Sequence, residues 1–249
     1  MTTDVLGRPR SGFDGVRSIF DKYFYFAMAV LIALAVVGGF SNTIRDNLLH
    51  PIHPSIARPP ILYFHATLFF AWIAFFVFQT SLVRSHNVQL HRRTGWWGLA
   101  LGVAMIIVGV ATAIIMRKYR LAHDSTETPA FLSIPFNDLS EFAVALALGI
   151  TWRKNREFHR RLMLLATIGL TGAAFARLPL PMMQNPWYFY IFTDVLVLIA
   201  VLRDLLLTHR VHPVYRYGLP LFLIGEYGAV YLFLHPPAVW LAICRFMIA

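Results

Sequence analysis

Seven long apolar runs alternate with short segments that carry most of the charged side chains. An α-helix rises about 1.5 Å per residue, so roughly 20 apolar residues are enough to cross the hydrocarbon core of a membrane. The pattern therefore predicts an all-α, polytopic membrane bundle of about seven transmembrane helices. The runs are 23–40, 61–83, 94–116, 136–152, 162–180, 187–207 and 219–234.

Three segments follow from these runs: a cytoplasmic N-terminal segment 1–22, a seven-helix domain 23–234 and a short apolar segment 235–249. The first run lacks the small-residue pattern of a signal-peptide cleavage site and ends in bulky Phe40, so it is predicted to be a retained helix. The last apolar stretch, 238–249, is too short to cross and is expected to pack at the membrane interface.

The distribution of basic residues predicts the orientation, because cytoplasmic loops are enriched in Lys and Arg. With the N-terminus inside, fifteen of the 22 Lys and Arg residues fall in inner segments. The seven in outer segments are Arg45, Arg58, Arg117, Lys118, Arg120, Arg177 and Arg245. Seven helices with this bias place the N-terminus in the cytoplasm and the C-terminus outside.

The overall composition agrees with a lipid environment. Apolar residues make up 58% of the chain and charged residues only 14%, which leaves too little polar surface to cover a soluble globule. A net charge of +10 would suggest a nucleic-acid surface on a soluble domain, but here the charges lie between apolar runs and set topology. The expected partners are the lipid bilayer and, in one interpretation, a membrane complex, with no nucleic acid. The single cysteine, Cys244, allows no internal disulfide and no cysteine-based metal cluster.

A short motif occurs twice at the start of an inner-face helix. Residues 89–93 read Gln-Leu-His-Arg-Arg and residues 157–161 read Glu-Phe-His-Arg-Arg. We expect His91 and His159 to lie at the same inner depth, at the turns of two parallel helical hairpins. The histidines are candidate heme ligands whose neighbouring arginines would hold the propionates. Interfacial anchoring to lipid phosphate is the favoured alternative.

Six ionisable residues within the apolar runs are informative by their depth, and five of them lie in the predicted outer half; Arg203 and Asp204 lie near the inner end of the run 187–207. Charged groups are costly in hydrocarbon and normally face a partner or a water-filled cavity, so these side chains are expected to converge. A functional pocket and a purely structural ion-pair network are equally compatible with the pattern. The six residues are His65, Asp138, Glu141, Arg177, Asp194 and Glu226.

Arg177 is predicted to be the centre of this cluster. A guanidinium stays charged at accessible pH, so it requires a partner when buried. We therefore expect Arg177 to lie within ion-pair distance of at least one of Asp138, Glu141 or Asp194, with His65 lining the same pocket.

His50 and His53 lie in a Pro-rich loop and could supply two ligands to a metal ion. Two histidines in such a loop are more often part of a rigid extended connection, which is the favoured interpretation.

The paired motifs carry a resemblance to known membrane proteins. From Tyr63-Phe64-His65 through Gln79 to the two His-Arg-Arg segments, the chain resembles a group of uncharacterised bacterial multi-span membrane proteins over residues 61–180. More distantly it is similar to a small membrane protein family implicated in the maturation of heme-copper oxidases, which shares a His-Arg-Arg-Leu-Met helix start. The resemblance implies a bacterial inner-membrane protein and adds slight weight to heme-related chemistry.

Two known classes of seven-helix membrane protein can be compared with this sequence directly, because each requires particular residues in its last helix. A retinal protein needs a lysine inside the last helix, but Lys22, Lys118 and Lys154 are the only lysines and lie outside the apolar runs. Zinc-dependent seven-helix hydrolases carry a His-x-x-x-His pair in the last helix, where this chain has Glu226. A variant site built from His65 and the outer carboxylates stays open. No Gly-rich nucleotide loop, nucleophile elbow or zincin motif is present.

These patterns leave three functional hypotheses. The leading one is an outward-facing polar pocket within the bundle that binds a small ligand, a metal ion or a heme-type redox cofactor. The first alternative is a membrane enzyme that uses His65 and the same carboxylates. The second is a structural or accessory subunit whose charges only hold helices together.

Overall fold

The computed structural model describes residues 12–49 and 58–249, with side chains described for 21–45 and 58–249. Within these residues the chain is 85% helix and contains no strand, which confirms the all-α prediction. His50 and His53 lie outside the described residues, as does the first part of segment 1–22. The nine α-helices of the described chain are α1 Gly12–Leu49, α2 Ile61–Arg84, α3 Val88–His123, α4 Ser133–Thr151, α5 Arg156–Gly169, α6 Gly172–Phe175, α7 Ile191–Thr208, α8 Pro213–Leu234 and α9 Ala238–Ile248.

Five helical segments are long and apolar enough to cross a membrane. They are Asp21–Arg45, Ile61–Arg84, Val88–His123, Pro129–Thr151 and Pro213–Leu234. Large apolar side chains on these helices point away from the bundle and are exposed, including Leu34 at 64%, Ile107 at 64% and Ile224 at 70%. Contiguous apolar exposure of this kind is rare on soluble monomers and is satisfied by lipid. The chain therefore has the character of a helical membrane protein.

The prediction of one continuous helix over 162–180 is wrong, because the structure divides this segment into α5 and α6. Helix α5 ends at Gly169, and α6 is a single turn. Between them the Thr171 hydroxyl donates to the Ile168 carbonyl at 2.6 Å and lies 3.2 Å from the Thr193 hydroxyl of α7. A threonine side chain that bonds its own backbone competes with the helical ladder. The prolines that follow α6 prevent a regular helix from resuming.

Two hairpins at one end of the bundle have the same construction. Helices α2 and α3 form the first, and α4 and α5 form the second. Asn87 caps α3 by accepting from the Leu90 N–H, and Asn155 caps α5 by accepting from the N–H groups of Glu157 and Phe158. The repeated His-Arg-Arg segments therefore begin one turn after equivalent asparagine caps.

Helix α4 packs against α3, α5 and α8 and positions the polar groups described below. Trp72 of α2 is fully buried, contacts Phe142 edge-on at 5.0 Å and donates to the Thr167 hydroxyl at 3.4 Å. At the start of α4, the Ser133 hydroxyl donates to the Ala229 carbonyl of α8 at 2.7 Å. The Trp72 contacts thus join α2 to α4 and α5, and the Ser133 bond holds the start of α4 against α8.

Candidate functional site

Four of the six predicted ionisable residues come together where α4, α7 and α8 meet. We call Asp138, Glu141, Asp194 and Glu226 the carboxyl cluster. Glu226 interacts electrostatically with the other three, and Glu141 interacts with Asp138 and Asp194. Glu141 lies about two turns from the start of α4, and Glu226 about two turns from the end of α8. Four of the six residues that were expected to converge therefore lie in mutual electrostatic contact, and His65 and Arg177 are not among them.

Three neutral side chains hydrogen-bond the carboxyl cluster. The Tyr190 hydroxyl donates to Asp138 Oδ1 at 2.5 Å. Asn137 Nδ2 donates to Glu141 Oε1 at 2.9 Å, and the Tyr227 hydroxyl donates to Asp194 Oδ2 at 2.9 Å. Neutral donors of this kind orient a carboxyl group without neutralising its charge. The sequence analysis did not identify these donors, although Asn137 and Tyr227 each lie next to an acid in the chain and Tyr190 lies four residues before Asp194.

Glu226 is the most deeply buried member of the carboxyl cluster. Its side chain is 0% exposed, and no hydroxyl, amide or cationic group of the described chain donates to either carboxyl oxygen; its hydrogen-bonding partner is the Asp194 carboxyl group. One oxygen each of Glu141 and Asp194 is also buried without such a donor in the described chain. Within the described ranges, no Lys, Arg or His nitrogen lies within 4.0 Å of any cluster carboxylate. Neighbouring carboxyl groups without a cation cannot all be ionised, so they hold protons between them.

Glycines allow the elements of the cluster to approach this closely. A Cβ placed on Gly225 of α8 would lie 2.6 Å from Asn137 Oδ1 and 2.8 Å from Glu141 Oε1. A Cβ on Gly169, the last residue of α5, would lie 3.5 Å from Glu141 Oε2. The break between α5 and α6 therefore lies against the carboxyl cluster. Interrupted helices beside buried charges are a feature of ion-binding sites in membranes.

Arg177 does not join the cluster, and the predicted ion pair is wrong. Its guanidinium lies over the Phe40 ring, 4.6 Å from the centroid, and donates to the Ala173 carbonyl. No carboxylate of the described chain pairs with it. The reason is the break after α5: the chain turns at Thr171, which directs the following residues toward α1 instead of α4.

His65 is also separate from the carboxyl cluster. Its ring packs on Phe69 of the same helix with centroids 4.1 Å apart, and the charged group that acts on it is Arg177. None of its described contacts involves the four carboxyl groups. The predicted pocket thus divides into the carboxyl cluster on one side and His65 with Arg177 on the other.

A second polar assembly, which the sequence analysis missed, joins α1, α5 and α7 at the hairpin end of the bundle. Arg161 donates to both Asp204 oxygens, from Nε at 2.9 Å and from Nη2 at 2.6 Å. Arg203 donates to Asp204 at 2.7 Å and also pairs with Asp21 of α1. Arg161 and Arg203 are 2% exposed and Asp204 is 0% exposed. We call these residues, with Glu157, the inner charge network, after the side of the membrane that the sequence predicts for them.

Glu157 lies at the solvent-exposed edge of the inner charge network and pairs with two of its neighbouring arginines. It accepts from Arg161 Nη1 at 2.5 Å and from Arg160 Nη2 at 2.6 Å. Partial burial acts to raise the pKa of Glu157, but its bonds to Arg161 and Arg160 outweigh this and hold the pKa below its ordinary value. The signal that could have revealed the network is Asp204, an acid directly after an arginine at the inner end of an apolar run.

The two repeated histidines lie side by side, as predicted for equivalent depth. The ring centroids of His91 and His159 are 6.2 Å apart, with planes inclined at 74°. Helices α4 and α5 pack closely beside His159, since a Cβ on Gly149 of α4 would lie 3.0 Å from Met163 Sδ of α5. The role of the two histidines as heme ligands stays a prediction.

The described residues contain no group of three or more His, Cys, Asp or Glu side chains arranged to hold a metal ion. No family model, curated protein or solved structure matches this chain. Function must be inferred from the site itself.

Proposed function

We propose that this chain is a multi-pass protein of the bacterial inner membrane that binds and releases protons at the carboxyl cluster. The observation that carries the proposal is Glu226, a fully buried acid that no donor or cation of the described chain reaches and whose hydrogen-bonding partner is another acid, Asp194. An acid held in hydrocarbon without a basic partner is costly when ionised and marks a functional site by default.

A proton fits the observed arrangement better than a larger ligand does. Multidentate metal binding needs converging ligands, which the described side chains do not supply at this place. A proton needs no cavity, and a pair such as Glu226 and Asp194 can share one. The hydroxyl groups of Tyr190 and Tyr227 bond the outer members of the cluster and are placed to reorient when protons leave.

The proposal places seven spans in the membrane, with α5 to α6 and α7 added to the five long apolar segments. Helix α5 has 14 residues, and α7 carries Asp194, Arg203 and Asp204. Pairing within the inner charge network offsets most of the cost of burying these groups. In this arrangement the N-terminus and both hairpin turns face the cytoplasm.

Reporter fusions test this topology. Residues near 88, 156 and 212 are expected to report a cytoplasmic location, and residues near 50 and 125 an external one, because basic segments are retained inside. Alkaline phosphatase and fluorescent-protein fusions at each position provide complementary signals. Opposite locations at two or more of these sites would contradict the orientation.

Infrared spectroscopy tests the proton site directly. The purified wild-type protein is expected to show the C=O absorption of protonated carboxylic acid at neutral pH, because the clustered acids cannot all ionise. Glu226→Gln should remove part of this band while the protein stays folded in detergent. Asp124→Asn, which changes an exposed acid outside the cluster, should leave the band unchanged.

Proteoliposomes separate proton transfer from a purely structural acid cluster. Wild-type protein is expected to move protons into vesicles that contain a pH-sensitive dye, and Glu226→Gln is expected to abolish this flux. Asp124→Asn should retain it. Wild-type vesicles no more permeable to protons than empty ones would contradict proton transfer and favour the accessory-subunit alternative.

A further inference from the structure

The two histidines of the repeated motif occupy equivalent positions on two helices. Each lies in the first turn after an asparagine cap, His91 on α3 and His159 on α5. An ion bound to one nitrogen of each ring at about 2.0–2.1 Å would hold the ring centroids roughly 5–6 Å apart, depending on the bond angle. The observed separation is 6.2 Å. The two rings therefore need little movement to share one ion.

His159 is held in the form that a metal ligand requires. Its Nδ1 lies 2.8 Å from the Gly149 carbonyl oxygen, which can only accept, so Nδ1 carries the proton and Nε2 keeps its lone pair. The Gly149 carbonyl is free to accept because it lies in the last turn of α4. Metal-bound histidines characteristically donate their other nitrogen to such a carbonyl.

Unpartnered polar atoms lie beside the second ring. His91 Nδ1 is buried and has no well-aligned hydrogen bond in the described chain, although the ring lies against the Gln79 backbone, and Gln79 Oε1 is buried without a partner. Gln79 is positioned by its own Nε2, which donates to the Thr94 hydroxyl at 2.6 Å, one turn along α3 from His91. Buried polar atoms are almost always satisfied, so two unsatisfied ones beside a histidine pair point to a missing ligand.

The surrounding charge selects the class of ion. Arg92 is exposed, and Arg160 is paired with Glu157 and stacked over Tyr25. Nearby arginines disfavour hard cations, which bind mainly through charge. Ions that gain most from imidazole nitrogen bind best here, and Cu²⁺ is the strongest of these among divalent first-row metals.

We propose that His91 and His159 form a binding site for a divalent late-transition-metal ion, for which Cu²⁺ is the probe. The site is independent of the carboxyl cluster and lies at the opposite, hairpin end of the bundle. Both histidines are only partly buried, so an ion can reach them from the aqueous side.

Copper titration of the full-length protein tests the site. The protein is purified through a tag without histidines, stripped with chelator and titrated with Cu²⁺ alone, with binding followed by metal analysis and by electron paramagnetic resonance. One Cu²⁺ per chain with hyperfine coupling to two imidazole nitrogens is expected. His91→Ala and His159→Ala should each weaken binding by about tenfold or more, since loss of even an outer-shell partner has that effect.

The control is His235→Ala, which removes an exposed histidine after α8 and should leave the titration unchanged. If His159→Ala fails to fold for want of its bond to Gly149, His91→Ala decides the question, because the interaction of the His91 ring with the Gln79 backbone only joins α2 and α3, which already pack together as a hairpin. Equal Cu²⁺ binding by wild type and His91→Ala would overturn the proposal. So would a heme absorption band in the purified protein that His91→Ala abolishes.

Discussion

Replacing Arg161 by methionine is expected to reduce the free energy of unfolding by about 3 kcal/mol. Removing one partner of a buried ion pair typically costs about 3–5 kcal/mol because the other charge stays buried. The lower value applies here because Asp204 keeps its bond to Arg203 at 2.7 Å. For a chain of this length the loss corresponds to a fall in the unfolding midpoint on the order of 10 °C.

The repeat supplies a matched control for this prediction. Arg93 occupies the same motif position as Arg161 but is exposed, so Arg93→Met should change the midpoint by no more than a degree or two, as is usual for surface substitutions. Both variants lose one charge and gain the same side chain. Thermal unfolding in detergent, followed by size-exclusion chromatography with fluorescence detection, compares them. Equal midpoints for the two variants would show that the inner charge network does not stabilise the bundle.

Alanine at two adjacent glycines of α1 is expected to have opposite effects. A Cβ on Gly39 would lie 2.2 Å from the Ala174 carbonyl oxygen of α6, and backbone cannot yield as a flexible side chain does. Gly39→Ala should therefore force α1 and α6 apart and cost about 1–3 kcal/mol, the range for overpacked contacts. Gly38 has nothing within 4 Å of the same position, so Gly38→Ala should stabilise the helix by up to about 1 kcal/mol.

The same thermal assay measures this pair, and the sign of the difference is the test. The substitution, the helix and the intrinsic preference for alanine are identical in the two variants, so only the contact with α6 distinguishes them. A Gly39→Ala midpoint at or above that of Gly38→Ala would contradict the close approach of these helices.

The hydrophobic pattern predicted where this protein forms helices more reliably than it predicted whether each helix is continuous. Runs of apolar residues predict helices wherever propensity and burial agree, and five of the seven predicted spans are single helices long and apolar enough to cross. The span 162–180 failed because its break depends on Thr171 meeting Thr193 of α7. That contact joins residues 22 apart in sequence, and the local signals of the break were only Gly169, Gly172 and Pro179 within an otherwise apolar run.

The spacing of charged residues also predicted part of the candidate site. Asp138 and Glu141 are three residues apart, so they share a helix face, and the cost of charge in hydrocarbon favours convergence with Asp194 and Glu226. The same argument assigned Arg177 to the cluster, because it considers charge and depth alone. The direction in which the chain turns after α5 was needed to exclude it.

The two His-Arg-Arg segments show where sequence stops being sufficient. Their identical residues and asparagine caps determined equivalent local structure, and the pairing of His91 with His159 follows from it. The arginines nevertheless have different environments: Arg93 is exposed, while Arg161 is buried against Asp204. A helix start depends on residues within one turn, which the sequence contains. Burial depends on which helices pack against that start, and only the tertiary structure places α7 and its aspartate beside one copy of the motif.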